Sequence, residues 1–265
     1  MESNHSQYYT AQEAQAKLGL SKSLFHKQVK QGLIPKFSLS GMKRGLYPRR
    51  DIDALALSMS ASTGEYVFST STPADQVEER QIGIKCFGSE FITPLAQRIS
   101  FQRKNRFTFH SFKVHRKVVG YISMFHLPDH YLDDLLTGKK IEKEIEVKDV
   151  LPFTRLENFR VYIDVIVVDP DLSGHLRCLY AGMLVFHFIA LILGLVSNNY
   201  QITHLYTVAA TKEGERLFRK IGFQLMEGKS LVSGRQAFEY TLDVQGIERL
   251  RMLASTFRKR LRLLS

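Results

Sequence analysis

Lys22, Lys27 and Lys30, interleaved with Ser23 and His26, recur along a short stretch in which Phe25 and Val29 stand four residues apart. On a helix those two apolar residues share one face and the lysines lie mostly on the other. A strip of that kind suits a polyanion rather than a proton-transfer reaction. A second basic tip, Lys43-Arg44, sits between Gly41 and Gly45. Other reactive side chains are sparse. Cys86 and Cys178 are the only cysteines, with no ligand spacing and no pair pattern, which points to a reduced intracellular compartment. The nine histidines form no ligand set, and His126 and His130, four apart but straddling Pro128, read as a surface pair. No metal is expected.

The elements that must carry the basic strip are legible on either side of it. Thr10-Ala11-Gln12-Glu13 is a capping-box pattern that starts a helix running to Leu18. Gly19 permits a tight turn, Ser21 caps a second helix to Gln31, and Gly32 stops it. From Lys36 to Tyr47 alternating residues flank the basic tip and read as a small hairpin. Pro48 to Leu55 then opens a third helix, with acids in its first turn.

In that order, residues 9 to 55 resemble the winged helix-turn-helix of the MerR/excisionase group. The matching motifs are the Tyr-Thr-x-x-Glu-Ala start, Leu18-Gly19-Leu20-Ser21, Gly32-Leu33-Ile34-Pro35 and Tyr47-x-x-x-Asp51-Ile52. The resemblance implies that the second helix enters the major groove of double-stranded DNA and that the hairpin acts as a wing. Lys22, Ser23 and Lys27 would then lie nearest base edges, with Lys30, Lys43 and Arg44 on phosphates. Charge placement agrees with a polyanion partner. Of the net +11, residues 1 to 60 carry +5 (nine Lys/Arg against four Asp/Glu) and residues 246 to 265 another +5 (six against one).

Beyond the third helix, eight of the fifteen residues from Ser58 to Thr72 are Ser or Thr. Pro73 and acidic residues follow, so 58–79 reads as a linker. The organisation expected is therefore a DNA-binding unit at 1–57, the linker, a globular unit at 80–243 and a basic amphipathic helix at 244–265. In the globular unit, a helix over Phe91 to Lys104 precedes two strands, Arg106 to Val114 and Lys117 to His126, joined by a turn at His115-Arg116. Arg160 to Val168 is a nearly continuous β-branched run, the mark of a strand covered on both faces. A long apolar helix from Ser173 to Val196, a strand at Ile202 to Val208, a helix at Lys212 to Lys220 and a strand at Ala237 to Leu242 complete a mixed α/β sheet flanked by helices.

Residues 80 to 243 resemble the GNAT (N-acetyltransferase) fold. The matching segments are Val118-Val119-Gly120-Tyr121-Ile122, Val167-Val168-Asp169-Pro170 and Leu217-Phe218-Arg219-Lys220-Ile221-Gly222-Phe223. The resemblance implies attack of an amine on an acyl-CoA thioester, a bulged central strand, and a helix start that holds pyrophosphate. Acetyl-CoA or another acyl-CoA would be held by Val167, Val168, Ser173, Gly174, His175 and Leu176. Asp164 lies near the family's general base, with a structural acid as the other reading. The family loop Arg/Gln-x-x-Gly-x-Gly/Ala is not kept: Ser173, Leu176 and Cys178 stand at its fixed positions. Side chains are expected where a phosphate needs bare backbone. Thr211 and Phe218 replace the family's Asn and Tyr, the Tyr being the group that protonates the thiolate.

Cys178 to Val196 is long and apolar enough to span a bilayer, but its strand-like flanks favour a buried core helix, and no membrane is expected. Residues 1 to 8 lack the apolar core of a signal peptide. Ile247, Leu250, Ala254, Phe257, Leu261 and Leu264 recur at heptad spacing, which suits either docking on the chain's own domain or a homodimer. The expectation is a bacterial, cytoplasmic DNA-binding regulator whose GNAT-like unit senses a ligand or binds a partner. The alternative is an active acyl-CoA-dependent N-acyltransferase targeted to DNA.

Overall fold

Thr10 sets the start of the first helix as its neighbours dictate. Its hydroxyl accepts from the Glu13 amide at 3.3 Å, and the Glu13 carboxylate accepts from the Thr10 amide at 2.7 Å. So α1 (Ala11–Leu18) begins with orphan donors satisfied, and Gly19 ends it at φ 63° in the left-handed region. The computed structural model describes residues 7–30, 34–37, 45–60, 66–227 and 235–264. α2 (Lys22–Lys30) follows the turn, β1 (Tyr8–Tyr9) pairs antiparallel with β2 (Tyr47–Pro48), and α3 (Arg49–Ser60) closes the unit. Ala14, Leu18, Phe25, Ile34, Tyr47 and Ile52 form its core. Phe37 and Leu46 are bridged antiparallel through both backbone bonds, at 2.7 and 2.9 Å. Between them, the tip expected as a wing, with Lys43 and Arg44, lies outside the described residues. So do Gln31 and Gly32, at the expected end of α2.

The stretch expected as a linker over 58–79 does not behave as one. Tyr66–Thr70 is β3, which pairs with β4 (Phe109–Val114), and α4 (Pro73–Phe87) starts three residues later. Thr72 and Asp75 make a second capping box, with amide-to-side-chain bonds of 3.2 and 2.9 Å. The Ser/Thr-rich composition misleads because several hydroxyls bond inside the fold: Ser71 is buried against Glu79. α5 (Leu95–Lys104), β5 (Lys117–Phe125) and α6 (Asp129–Thr137) follow, and the β4–β5 turn places His115 and Arg116 at positive φ. The remaining elements are β6 (Phe159–Val168), α7 (Gly174–Ser197), β7 (Ile202–Ala209), α8 (Lys212–Ile221), β8 (Gln224–Leu225), β9 (Gln236–Thr241) and α9 (Val244–Leu264).

Seven strands form one mixed sheet in the order β3-β4-β5-β6-β7-β9-β8, antiparallel throughout except for the central β6–β7 pair. α4, α5 and α6 cover one face; α7, α8 and α9 cover the other. α7 is the described helix long and apolar enough to cross a membrane by length and composition. Here eight of its residues, from Tyr180 to Leu195, are buried in the larger core. Its one strongly polar member after Cys178, His187, stacks on Phe68 at 5.0 Å, and burial pushes its pKa down to about 4.

Ile247, Leu250, Ala254 and Phe257 of α9 pack into that same core, so over this length the heptad seam is covered by the chain itself. The side chains of Leu261 and Leu264 lie outside the description. His126, expected at the surface, is buried, with Nδ1 2.9 Å from the Pro152 carbonyl oxygen and its ring 4.7 Å from that of Phe159. The segment at Leu151 returns to bridge His126 and covers it, a long-range pairing invisible to local spacing. His130 is exposed.

Candidate functional site

β6 changes character halfway along. Phe159 to Ile163 pair with β7, and of these Tyr162 and Ile163 are paired on the other side with β5 as well. Ser123 of β5 then faces Val165 while Met124 faces Ile163, so Asp164 is the extra, bulged residue. The parallel ladder to β7 stops at the same place, at Ile163–Thr207, and Val208 and Ala209 continue with β9 alone. Beyond Asp164 the two central strands therefore part. Among the described residues the β7-facing edge of 164–168 keeps no strand partner, and these side chains become partly exposed where 161–163 are buried.

Asp164 stands at the fork. The Ser123 hydroxyl donates to its Oδ2 at 2.6 Å. Burial, aided by the charge of Glu142, pushes its pKa up to about 6, opposed by the Ser123 hydrogen bond and the guanidiniums of Arg98 and Arg235. Glu142 is held in turn by an ion pair with Arg235 and by the Tyr162 hydroxyl at 2.6 Å. A carboxylate whose proton is lost near pH 6 can accept a proton at neutral pH, and Asp164 is partly exposed.

Behind Asp164 lies a buried ion pair that local sequence reading does not reveal. Arg98 donates to Glu79 at 2.6 Å, and both side chains are almost wholly enclosed. Glu79 also accepts from the Ser71 and Ser111 hydroxyls. Burial raises its pKa against the pull of Arg98. The guanidinium stacks 4.1 Å over the Phe109 ring and 5.3 Å over that of Tyr121, which fixes the floor under the bulge. Only the acidic spacing Asp75, Glu78, Glu79 hints at it in the sequence, and that reads equally as solvated helix surface.

The turn from β6 into α7 is pinned by Asp169, buried, which accepts from Lys85 at 3.2 Å and from the Asp171 amide at 3.1 Å. Lys85 was not anticipated. Ser173 caps α7, its hydroxyl accepting from the Leu176 amide at 3.4 Å. The first-turn amides of Gly174 and His175 keep no partner among the described residues. Leu176, expected to obstruct them, turns inward and packs on the core. His175 and Cys178 are exposed. A Cβ at Gly174 would meet only Arg50 of α3, at 3.6 Å, so a guanidinium stands beside the open helix start. Val168 packs toward the core under α7 and Val167 toward Cys86 and Ile82 on the other face.

Thr211 and Phe218 have structural duties here. Thr211 caps α8, accepting from the Gly214 amide at 3.0 Å. Phe218 is buried against Phe223, 5.2 Å between ring centroids. On α2, Lys22, Ser23, Lys27 and Lys30 are all exposed, and among the described residues none of the three lysines has an ion-pair partner. This strip and the β6 fork are separate sites on different units. No cluster of three metal-ligating side chains occurs among the described residues.

No protein-family model and no curated protein matches the chain. Similar solved structures include the loading GNATL domain of CurA from Lyngbya majuscula, at 10% identity over 66% of this chain and 97% of that one, TM-score 0.48. Others are Ard1 from Thermoplasma volcanium, at 14% identity over 66% and 95%, TM-score 0.43, and AtaTR bound with acetyl-CoA, at 14% over 72% and 98%, TM-score 0.43. Likeness at this level carries no argument about activity.

Proposed function

We propose that the sheet unit is a GNAT-like domain that binds an acyl-CoA at the β6–β7 fork and transfers its acyl group to an amine. The observation that carries this reading is the coincidence at Asp164 of a bulge, the end of the parallel ladder and a carboxyl shifted toward neutrality. The unpaired edge of 164–168 can bond the amides of an extended ligand as an added strand would. The free first-turn amides of α7, with Arg50 beside them, suit its phosphates. Acyl-CoA bound there would supply the activated acyl carbon. Asp164, or a water it orients, would take the proton from the attacking amine, backbone amides of the Val167–Val168 segment would polarise the thioester carbonyl, and the C–S bond would break to release CoA as a thiolate that takes its proton from water.

The N-terminal unit, by its motif order and its unpaired lysines, is read as a winged helix-turn-helix that brings this domain to double-stranded DNA in the bacterial cytoplasm. Lys22, Ser23 and Lys27 would face bases, and Lys30, Lys43 and Arg44 phosphates. A second reading, a regulator that senses acyl-CoA without turning it over, is favoured by the structural duties of Thr211 and Phe218. Pairing of two copies through α9 would have to avoid the seam from Ile247 to Phe257, which is already covered.

Calorimetric titration of the full chain with acetyl-CoA, followed by amine-acceptor turnover, tests the proposal. Saturable binding with turnover that rises as Asp164 deprotonates around pH 6 supports it. Binding without turnover on any amine leaves the sensor, and no binding removes both.

A further inference from the structure

A cavity of about 420 Å³ opens beside the last turns of α7, away from the fork. Gly194, on its wall, stands twenty residues beyond Gly174, or about 30 Å along the helix at 1.5 Å per residue. Its volume falls within the roughly 300–1,000 Å³ range of small-molecule sites. We propose that this cavity is a second ligand site, separate from the fork, and that it takes a small aromatic anion.

The wall admits a flat body. Nothing lies within 4 Å of where a Gly194 Cβ would stand, so the helix backbone itself is open to contact. Phe107 and Tyr200 meet edge to face at 5.4 Å and 80°, and Phe153 stacks behind Phe107 at 5.4 Å, which holds the rings in place.

The charge selects an anion. The Arg106 guanidinium lies 4.7 Å over the Phe107 ring and that of Arg155 4.8 Å over the Tyr200 ring, so both are oriented by the cavity's own aromatics. Among the described residues neither has a carboxylate at ion-pair distance. They are not spent on the helix end either. The Asn198 side chain donates to the Gly194 carbonyl oxygen at 2.7 Å, and the Tyr200 amide to that of Leu195 at 3.1 Å. A cation would meet two unneutralised guanidiniums, whereas an anion on a flat apolar body satisfies both features.

The test is fluorescence titration of the full chain with 8-anilinonaphthalene-1-sulfonate, with its neutral relative N-phenyl-1-naphthylamine as control. Expected is one saturable site for the sulfonate that CoA does not displace. Its affinity should fall by about tenfold or more in the Arg106→Gln/Arg155→Gln variant and in Gly194→Met, and the neutral dye should bind more weakly and ignore the arginine changes. Both arginines are exposed, so the first variant stays readable even if Gly194→Met fails to fold. Unchanged sulfonate affinity in the arginine variant, equal binding of the neutral dye, or displacement by CoA would each overturn the proposal. None of these outcomes depends on whether the fork binds acyl-CoA.

Discussion

Among the described residues the N-terminal unit has no fully buried charged residue beside its core of six apolar ones, whereas the sheet unit takes charges inside. Lys22, Lys27 and Lys30 stand in solvent on one helix; Glu79 and Arg98 are enclosed behind the fork, and Asp169 in the turn from β6 into α7. The difference decides what perturbs each unit. Exposed lysines answer to salt, because counterions screen them. Enclosed carboxyls answer to pH and to the loss of a partner, because desolvation makes each proton and each neighbour count.

The sharpest way to break this contrast is Phe25→Ala. A fully buried phenylalanine costs about 3–5 kcal/mol on truncation, more than a six-residue core readily absorbs. Thermal unfolding should then show the N-terminal unit melted while the sheet transition keeps its midpoint. A joint loss of both would make the two units one cooperative body. Nearly as large is Arg98→Ala, which strands Glu79 in the interior and should cost about 3–5 kcal/mol in urea unfolding at pH 7. The Glu79→Leu/Arg98→Met pair should recover most of that loss, since no lone charge remains.

Asp164→Asn should act in the opposite sense. The folded pKa lies above the ordinary value of 3.8, at about 6. The folded state therefore holds the proton more tightly, and wild-type stability falls as pH rises from about 4 to 6. Above that window the asparagine variant should be the more stable by about 3 kcal/mol, and the two should converge near pH 4. Acyl transfer, where present, should be lost in the same variant. An identical pH-stability curve for both proteins would remove Asp164 from the titrating groups. Smallest in stability and confined to binding, Lys30→Ala should lower the salt slope of DNA affinity by about one, while Lys22→Ala and Lys27→Ala should relax sequence preference by about 1–3 kcal/mol. Equal losses on every sequence for all three would sink that division of roles.

What could be read in advance was whatever local rules control. Thr10 with Glu13, Gly19, and the β-branched run of β6 each carry their structural meaning in a few adjacent residues. The fork is another matter. Asp164 could be marked as a carboxylate on the right strand, but its bulge is a register relation with Ser123, forty-one residues away. The Glu79–Arg98 pair joins two helices, and its members look like ordinary surface charges in one dimension. β3 was hidden by hydroxyls whose partners are distant. Leu176 looked obstructive because sequence gives position on a helix but not which way a side chain turns once a core is available.

The packing of Leu250 and Phe257 of α9 into the core that β3 begins has a consequence for synthesis. A ribosome delivers the N-terminal core complete once Ile52 has emerged, so that unit can fold while the rest is being made. The sheet unit has no such early finish. Its larger core stays incomplete until nearly two hundred further residues have followed, since Phe257 lies 191 positions after Tyr66. Once Ser197 has emerged, the nascent chain displays a strongly apolar helix until Phe257 follows 60 positions later, and chaperone demand should be greatest there.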